Sequence, residues 1–281
     1  MKGMKRLRIS SISYLNTAPL MWDFEHGDAG KDFEISYTVP SLCAAALHEG
    51  SSDIGIIPAA AYATIPDLSI LPGVAIASRR AVRSILLVSK VALSEISSVA
   101  LDSSSLTSVA LIKILFQRLW KSAPAFSSEA PQLEQMLAHH DAALLIGDPA
   151  LRVDRSRFRT YDLAEEWIGF TGKPFVFAFW AVRYPSLANL TTNLDLAAVF
   201  QRSRDHGLLP VNREKIAKAW APKVGISESA VRSYLSHNID YELDSACLDG
   251  LRLFYRHAEE CKIFPKAPKL NFLETSQRIA G

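Results

Sequence analysis

The stretch SVALDSSSLTSVALIKILFQRLW, residues 98–120, decides how the rest of the chain is read. Val99–Leu101 is a short apolar run of strand character. Ser103, Ser104 and Ser105 make a hydroxyl-rich turn. Leu106–Trp120 then carries Leu111, Leu115 and Leu119 at four-residue spacing, the stripe of an amphipathic helix. A strand that turns tightly into a helix is the repeating unit of an α/β sheet.

The same grammar extends outward in both directions. Upstream, Arg6–Ile12 reads as a strand. Asn16–Glu25 follows as a short helix, with Asn16 or Thr17 able to cap it and Pro19 in its first turn. Phe33–Val39 alternates as a strand. Ser41–His48 is an Ala/Leu-rich helix with Ser41 as cap and Gly50 just past its end. Ile54–Ile57 is a buried strand running into Pro58, a helix reaches about Thr64, and strands lie near Ile70–Ala77 and Ser84–Val88. Downstream, Pro131–Ala138 is a helix, Ala142–Ile146 an apolar strand broken by Gly147-Asp148-Pro149, and Phe175–Val182 an aromatic strand. Beyond Leu187 the texture becomes helical, over Leu190–His206, Asn212–Trp220, Glu228–Ser236 and Leu243–Phe264.

Two strand–helix blocks followed by a helical tail predict two lobes built on largely parallel sheets. Residues 1–90 with 184–281 form a discontinuous first lobe, and residues 91–183 form the second. Ser89–Ile96 and Ala181–Ser186 are the expected hinge crossings. Ligands of open α/β sheets bind at the carboxyl ends of the strands, which in such a layout face the cleft.

Composition narrows the function classes. The chain has 281 residues, 49% of them hydrophobic, enough for a substantial core. Net charge is +2, with no dense Lys/Arg stripe, so no nucleic-acid partner is expected. Cys43, Cys247 and Cys261 are scattered and odd in number, which suggests neither a zinc site nor a disulfide framework. The basic start MKGMKRLRISSISYLN is not followed by a signal-peptide core, and no apolar window has the length of a membrane span. A cytoplasmic protein without membrane association is the expectation. GxGxxG after the first strand, GxxxxGK[ST], GxSxG and HExxH are all missing, so dinucleotide, P-loop, serine-hydrolase and zincin chemistries have no support.

Four polar segments sit at predicted strand ends. They are Ser10–Thr17, which contains Ser11 and Asn16; Arg83-Ser84; Ser103–Ser108; and Gly147-Asp148. The third has the clearest physics. A helix start offers free N–H groups and a positive dipole end, and Ser105, Thr107 and Ser108 add hydroxyl donors, a setting that suits a carboxylate. Ordinary helix capping remains the alternative for these serines, for Asn16 and for Asp148. Arg79, Arg80 and Arg83 form a small basic cluster, either a solvated loop or, beside a cleft, an attractor of a dianion. Phe175, Phe177, Phe179 and Trp180 read as core.

SISYLNTAPL (Ser11–Leu20) closely resembles the opening motif of the chorismate dehydratases of the futalosine route to menaquinone. LHEGSSDIGIIPAAAY (Leu47–Tyr62), RSILLVS (Arg83–Ser89), ALDSSSLTSVALIKIL (Ala100–Leu115), AALLIGDPAL (Ala142–Leu151) and YDLAEEWIGFTGKPFVFAFW (Tyr161–Trp180) resemble that family in the same order. The chain departs from it before Ser84, where Arg80-Ala81-Val82-Arg83 replaces the usual Gly-Pro step, and at Leu106, where many members carry Arg.

The resemblance implies a type 2 periplasmic-binding-protein-like α/β fold and a hydro-lyase that needs no cofactor and no metal. It implies a small-molecule substrate, chorismate, and a monomer or homodimer. By this resemblance Asn16 and Ser84 are catalytic, while Ser11, Ser105, Thr107, Ser108, Gly147 and Asp148 bind substrate. The sister 1,4-dihydroxy-6-naphthoate synthases share the fold but open with a Ser-Pro-Cys-Pro-Asn-Asp-Thr-like segment that is missing here. A non-enzymatic solute-binding protein of the same fold is the other alternative.

Overall fold

Residues 6–187 and 195–274 are described by the structure, a computed structural model. They hold ten strands: β1 (Leu7–Ile12), β2 (Phe33–Thr38), β3 (Ile54–Pro58), β4 (Leu68–Ser78), β5 (Ile85–Ser89), β6 (Ser98–Asp102), β7 (Ala125–Glu129), β8 (Ala142–Ile146), β9 (Arg159–Asp162) and β10 (Phe175–Arg183). These make two five-stranded sheets, ordered β2-β1-β3-β10-β4 and β7-β6-β8-β5-β9.

The sheets have the same plan. In each, three strands run parallel, and a fourth runs antiparallel to both of its neighbours: β10 between β3 and β4, β5 between β8 and β9. Four of the five strands in each sheet thus run the same way, so the sheets are largely parallel as expected, with one antiparallel strand in each. The expected lobe boundaries are corrected. β5, assigned by sequence to the first lobe, belongs to the second sheet, and β10, assigned to the second lobe, belongs to the first. The physical reason is that both are interior strands covered on both faces. Such strands are near-continuous apolar runs and carry no local mark of which sheet they join. The chain therefore crosses between sheets ahead of β5 and ahead of β10, not within the segments Ser89–Ile96 and Ala181–Ser186.

Alternation of side chains places successive residues of the second sheet in different cores. Ile85, Leu87, Val99, Leu101, Leu144 and Ile146 join the large core shared with the first sheet. Leu86, Val88, Ala100, Ala143 and Leu145 pack with Met136 and Leu137 on the other face. The helix Thr107–Arg118 buries Leu111, Ile114 and Leu115 in the shared core.

The tail helices are Leu196–Gly207, Pro210–Val224, Glu228–Ser233 and Ser245–Glu260, with a π-helical turn at Tyr234–Asn238. The expected start of the first of them, Leu190, lies outside the described residues, as do 1–5 and 275–281. The helix Leu196–Gly207 docks on the 3₁₀ helix Leu15–Met21. Ser203 Oγ donates to the Leu20 carbonyl at 2.8 Å and accepts the Asp23 N–H at 3.0 Å. Gly207 permits this approach, because a Cβ there would collide with the Pro19 carbonyl. The helix Ser245–Glu260 ends the packing against β10, where Tyr255 donates its hydroxyl proton to the Ala59 carbonyl at 2.6 Å. No helix among the described residues is long and apolar enough to cross a membrane.

Candidate functional site

Parallel strands β1, β6 and β8 deliver their carboxyl ends to one line between the sheets. There, Ile12, Tyr14, Asn16, Ser105, Leu106, Thr107, Ser108, Ile146 and Gly147 meet Pro58, Ile76, Phe177 and Ala178 around a cavity that opens to solvent. β5 reaches the same line from the opposite direction. Its antiparallel register pairs Ile85 with Ile146, so Ser84 falls beside Gly147, whose N–H donates to the Ser84 carbonyl at 2.8 Å.

The second-lobe wall is a helix start. The helix Thr107–Arg118 has no side-chain cap, and Ser105 and Ser108 line the cavity at its first turn. The turn before it is fixed by Asp102, which is fully buried. Asp102 accepts the Ser104 N–H at 2.9 Å, the Ser104 hydroxyl at 2.6 Å and the Ile146 N–H at 3.2 Å. Burial raises the carboxyl of Asp102, and the Ser104 bonds oppose that rise. Sequence reasoning passed over Asp102, although an acid at the end of a strand before a serine turn is a recognisable local anchor.

The first-lobe wall is the segment Tyr14–Thr17. The 3₁₀ helix Leu15–Met21 has Tyr14 as its N-cap residue, with no side-chain cap, and the Thr17 N–H bonds the Tyr14 carbonyl at 3.0 Å. Asn16 is thus inside the helix and lines the cavity, so the capping reading of Asn16 is set aside. The Thr17 hydroxyl donates to Asn16 Oδ1 at 3.3 Å, which leaves the amide NH₂ of Asn16 as a donor.

The remaining sequence-derived residues are placed as follows. Gly147 lines the cavity with φ +62, and a Cβ on it would lie 2.5 Å from the Tyr14 ring. Thr107 lines it too, but its hydroxyl is committed: it donates to the Phe177 carbonyl at 3.0 Å and accepts the Ala60 N–H at 3.1 Å. Ser84 is fully buried behind Ile85 and Gly147. Ser11 is also fully buried, its hydroxyl unpartnered, and it is not part of the lining; in β1 it points to the face opposite Ile12. Asp148 stands just behind the lining. Of the basic cluster, Arg79 is tied to Asp240 and Asp244, and neither Arg80 nor Arg83 reaches the cavity.

The lobes are latched across the cleft. Leu15 donates its N–H to Asp148 Oδ1 at 3.0 Å, Ser41 donates its N–H to the Ser104 carbonyl at 3.1 Å, and the Tyr14 and Ser104 hydroxyls lie 3.3 Å apart. Burial pushes the Asp148 carboxyl up to about 6, against the opposing pull of the Leu15 N–H and of Arg152. An acid raised in the folded state favours folding only while protonated. The unfolded chain loses its proton first, so stability falls as pH rises from about 4 to 6 and stays lower above. Asp148→Asn keeps an acceptor for Leu15 but cannot ionise. Its unfolding free energy relative to the wild type is expected to rise by about 2–3 kcal/mol between pH 4 and pH 7 in urea titrations. A difference that stays flat over this range removes Asp148 as the titrating group.

Among the described residues the lining carries no charged side chain. Its polar groups are hydroxyls, an amide, a phenol and backbone N–H groups. Burial raises the Tyr14 phenol, which keeps it protonated at neutral pH. Among the described residues no three His, Cys, Asp or Glu side chains converge as metal ligands. Such a cavity can bind and orient an anion through fixed dipoles but has no lining group able to take a proton near neutral pH.

Three comparisons bear on this site. The family described as menaquinone biosynthesis matches residues 7–260. A chorismate dehydratase of Thermus thermophilus is 29% identical over 259 residues, covering 86% of this chain and 91% of that protein. Among solved structures, an Archaeoglobus fulgidus protein superposes with a TM-score of 0.73 at 15% identity, over 94% of this chain and 100% of that one. A Candida albicans protein described as having the generic periplasmic binding protein fold gives 0.69 at 10% identity, over 98% and 99% of the two chains. The periplasmic aliphatic sulphonate binding protein of Escherichia coli gives 0.63 at 18% identity, over 98% and 97%. The fold is periplasmic-binding-protein-like.

Proposed function

This chain belongs to the menaquinone-biosynthesis family, and from that premise we propose that its cleft dehydrates chorismate to 3-[(1-carboxyvinyl)oxy]benzoate. The observation that carries the mechanism is the uncharged lining. The elimination removes the proton on ring C3 and the hydroxyl on C4. The C3 proton is vinylogous to the ring carboxylate, so its acidity is already raised, and the ring becomes aromatic as water leaves. What the reaction asks of the protein is orientation and a proton acceptor. The lining supplies the first and lacks the second.

The acceptor is therefore the substrate's own enolpyruvyl carboxylate, held against the C3 proton; the carboxyl so formed returns that proton to the C4 hydroxyl as it leaves, so that water departs and the carboxylate is restored. The uncapped start of the helix Thr107–Arg118, with the hydroxyls of Ser105 and Ser108, receives the ring carboxylate. Asn16, through its NH₂, and Ser84 receive the enolpyruvyl carboxylate or the departing hydroxyl. Thr107 serves by joining Ala60 and Phe177 of the first lobe to the helix start. Placement of reacting groups and fixed dipoles supply the acceleration. The proposed reaction uses no cofactor and no metal.

Purified protein incubated with chorismate alone is expected to convert it to a product lighter by one water, followed by mass spectrometry, and to keep doing so after exhaustive EDTA treatment and dialysis. Chorismate recovered intact refutes the dehydratase reading. Turnover lost to EDTA and restored by a divalent cation refutes the metal-free mechanism.

A further inference from the structure

Ser84 is held from every side, and one of its holders comes from the far end of the chain. Its carbonyl accepts the Gly147 N–H at 2.8 Å. Just before it, the buried Asp162 accepts the Val82 N–H at 3.0 Å and the Arg83 N–H at 2.6 Å, and Arg155 donates to the Arg83 carbonyl at 3.2 Å. These bonds keep Arg83 at φ +64, a left-handed conformation costly for an arginine. The backbone leading to Ser84, and its carbonyl, are thus tied down. What remains is the direction of its hydroxyl.

That direction is controlled by Tyr234. Its hydroxyl donates to Ser84 Oγ at 2.8 Å across 150 residues of sequence, and both groups are buried. Tyr234 opens the π-helical turn Tyr234–Asn238, a deformation frequent at functional sites. The turn is stitched to the segment leading to Ser84: Asn238 Nδ2 donates to the Ala81 carbonyl at 2.8 Å, and Ser78 Oγ donates to the Asn238 carbonyl at 2.8 Å. The Asn16 amide also faces the Tyr234 oxygen. A phenol is the stronger acid and the better donor of the two hydroxyls. With the phenol proton lying on Ser84 Oγ, the Ser84 proton must point away from Tyr234, and no acceptor for it is found among the described residues.

We propose that Tyr234 is a positioning residue: by donating to Ser84 it leaves Ser84 only the role of donor, and by facing Asn16 it aligns the two side chains that receive the departing hydroxyl or the enolpyruvyl carboxylate. The inference rests on the dehydratase reading.

The test is a double-mutant cycle on the full chain with chorismate, using Tyr234→Phe, Ser84→Ala and the double variant, with kcat and KM measured separately and thermal midpoints recorded. Tyr234→Phe is expected to lower kcat about 10- to 100-fold with KM changed less than about 3-fold. In the Ser84→Ala background the same change is expected to have almost no effect, since the group it orients is gone. An equal loss in both backgrounds, a loss confined to KM, or an unchanged kcat overturns the proposal. If Tyr234→Phe fails to fold, 3-fluorotyrosine placed at position 234 alone keeps the hydroxyl and strengthens the donor. A kcat that changes with phenol acidity then supports the proposal, and an indifferent kcat overturns it. A wild type inert toward chorismate is a different failure: it removes the dehydratase reading itself and this inference with it.

Discussion

A chorismate analogue that lacks the enolpyruvyl carboxylate but keeps the ring carboxylate is expected to enter the cleft and leave it unchanged. The ring carboxylate still finds the helix start and the hydroxyls of Ser105 and Ser108. The C3 proton, however, finds no acceptor, because among the described residues the lining has no charged side chain and its phenol is held protonated by burial. Competitive inhibition of chorismate turnover, with no product by mass, is the expected result. Turnover of the analogue at the normal rate sinks the substrate-assisted mechanism.

The first group to inherit the role would then be Asp148, whose carboxyl is pushed up to about 6 and lies one residue behind the lining. Asp148→Asn separates the two cases from the other side. If Asp148 only latches the segment carrying Asn16, through Leu15, kcat/KM falls about 10- to 100-fold. If it takes the proton, the loss is on the order of 10⁴-fold and a pKa disappears from the pH–rate profile.

Gly147→Ala is expected to cost kcat/KM more than about 100-fold, the scale of losing one or two well-placed contacts. Two independent effects combine. A left-handed φ of +62 is strained for alanine, and the new Cβ would lie 2.5 Å from the Tyr14 ring. Backbone on either side cannot yield cheaply, since the Gly147 N–H is bonded to Ser84. Tyr14 must therefore move, and it carries the contact with Ser104 and the entry to Asn16. A loss of folding stability of about 1–3 kcal/mol in urea should accompany the kinetic loss. Wild-type kinetics in this variant would show that Tyr14 does not shape the cavity.

Much of this site was legible because its parts are local. A strand, a serine turn and an amphipathic stripe suffice to place the helix start at Thr107. Gly147 was likewise visible as the break after an apolar strand. What escaped notice acts over long sequence separation. Tyr234 looks like one more aromatic in a helical tail until it is found on Ser84, and Asp162 looks like an ordinary helix cap, which it also is, accepting the Ala164 and Glu165 N–H groups. β7 carries no strand signal of its own, because AFSSE is an edge strand with three polar residues in five and too weak an alternation. Asn16 has the residue type of a cap, but the helix there is of the 3₁₀ kind and begins one residue earlier. The family departure at Leu106 places an apolar side chain, about two-fifths exposed, on the cavity wall.

The exchange of β5 and β10 between the sheets also bears on how the chain becomes a folded molecule. Neither half of the sequence encodes half of the protein. A nascent chain that has reached residue 90 holds β5, whose neighbours β8 and β9 are not yet made, and lacks the β10 that fills the gap between β3 and β4. Until β10 emerges, two strand edges of the first sheet stay open, and open edges are templates for wrong pairing. Completion of either sheet therefore waits for strands made late in the chain, and the apolar strands made early stay exposed to wrong pairing in the meantime.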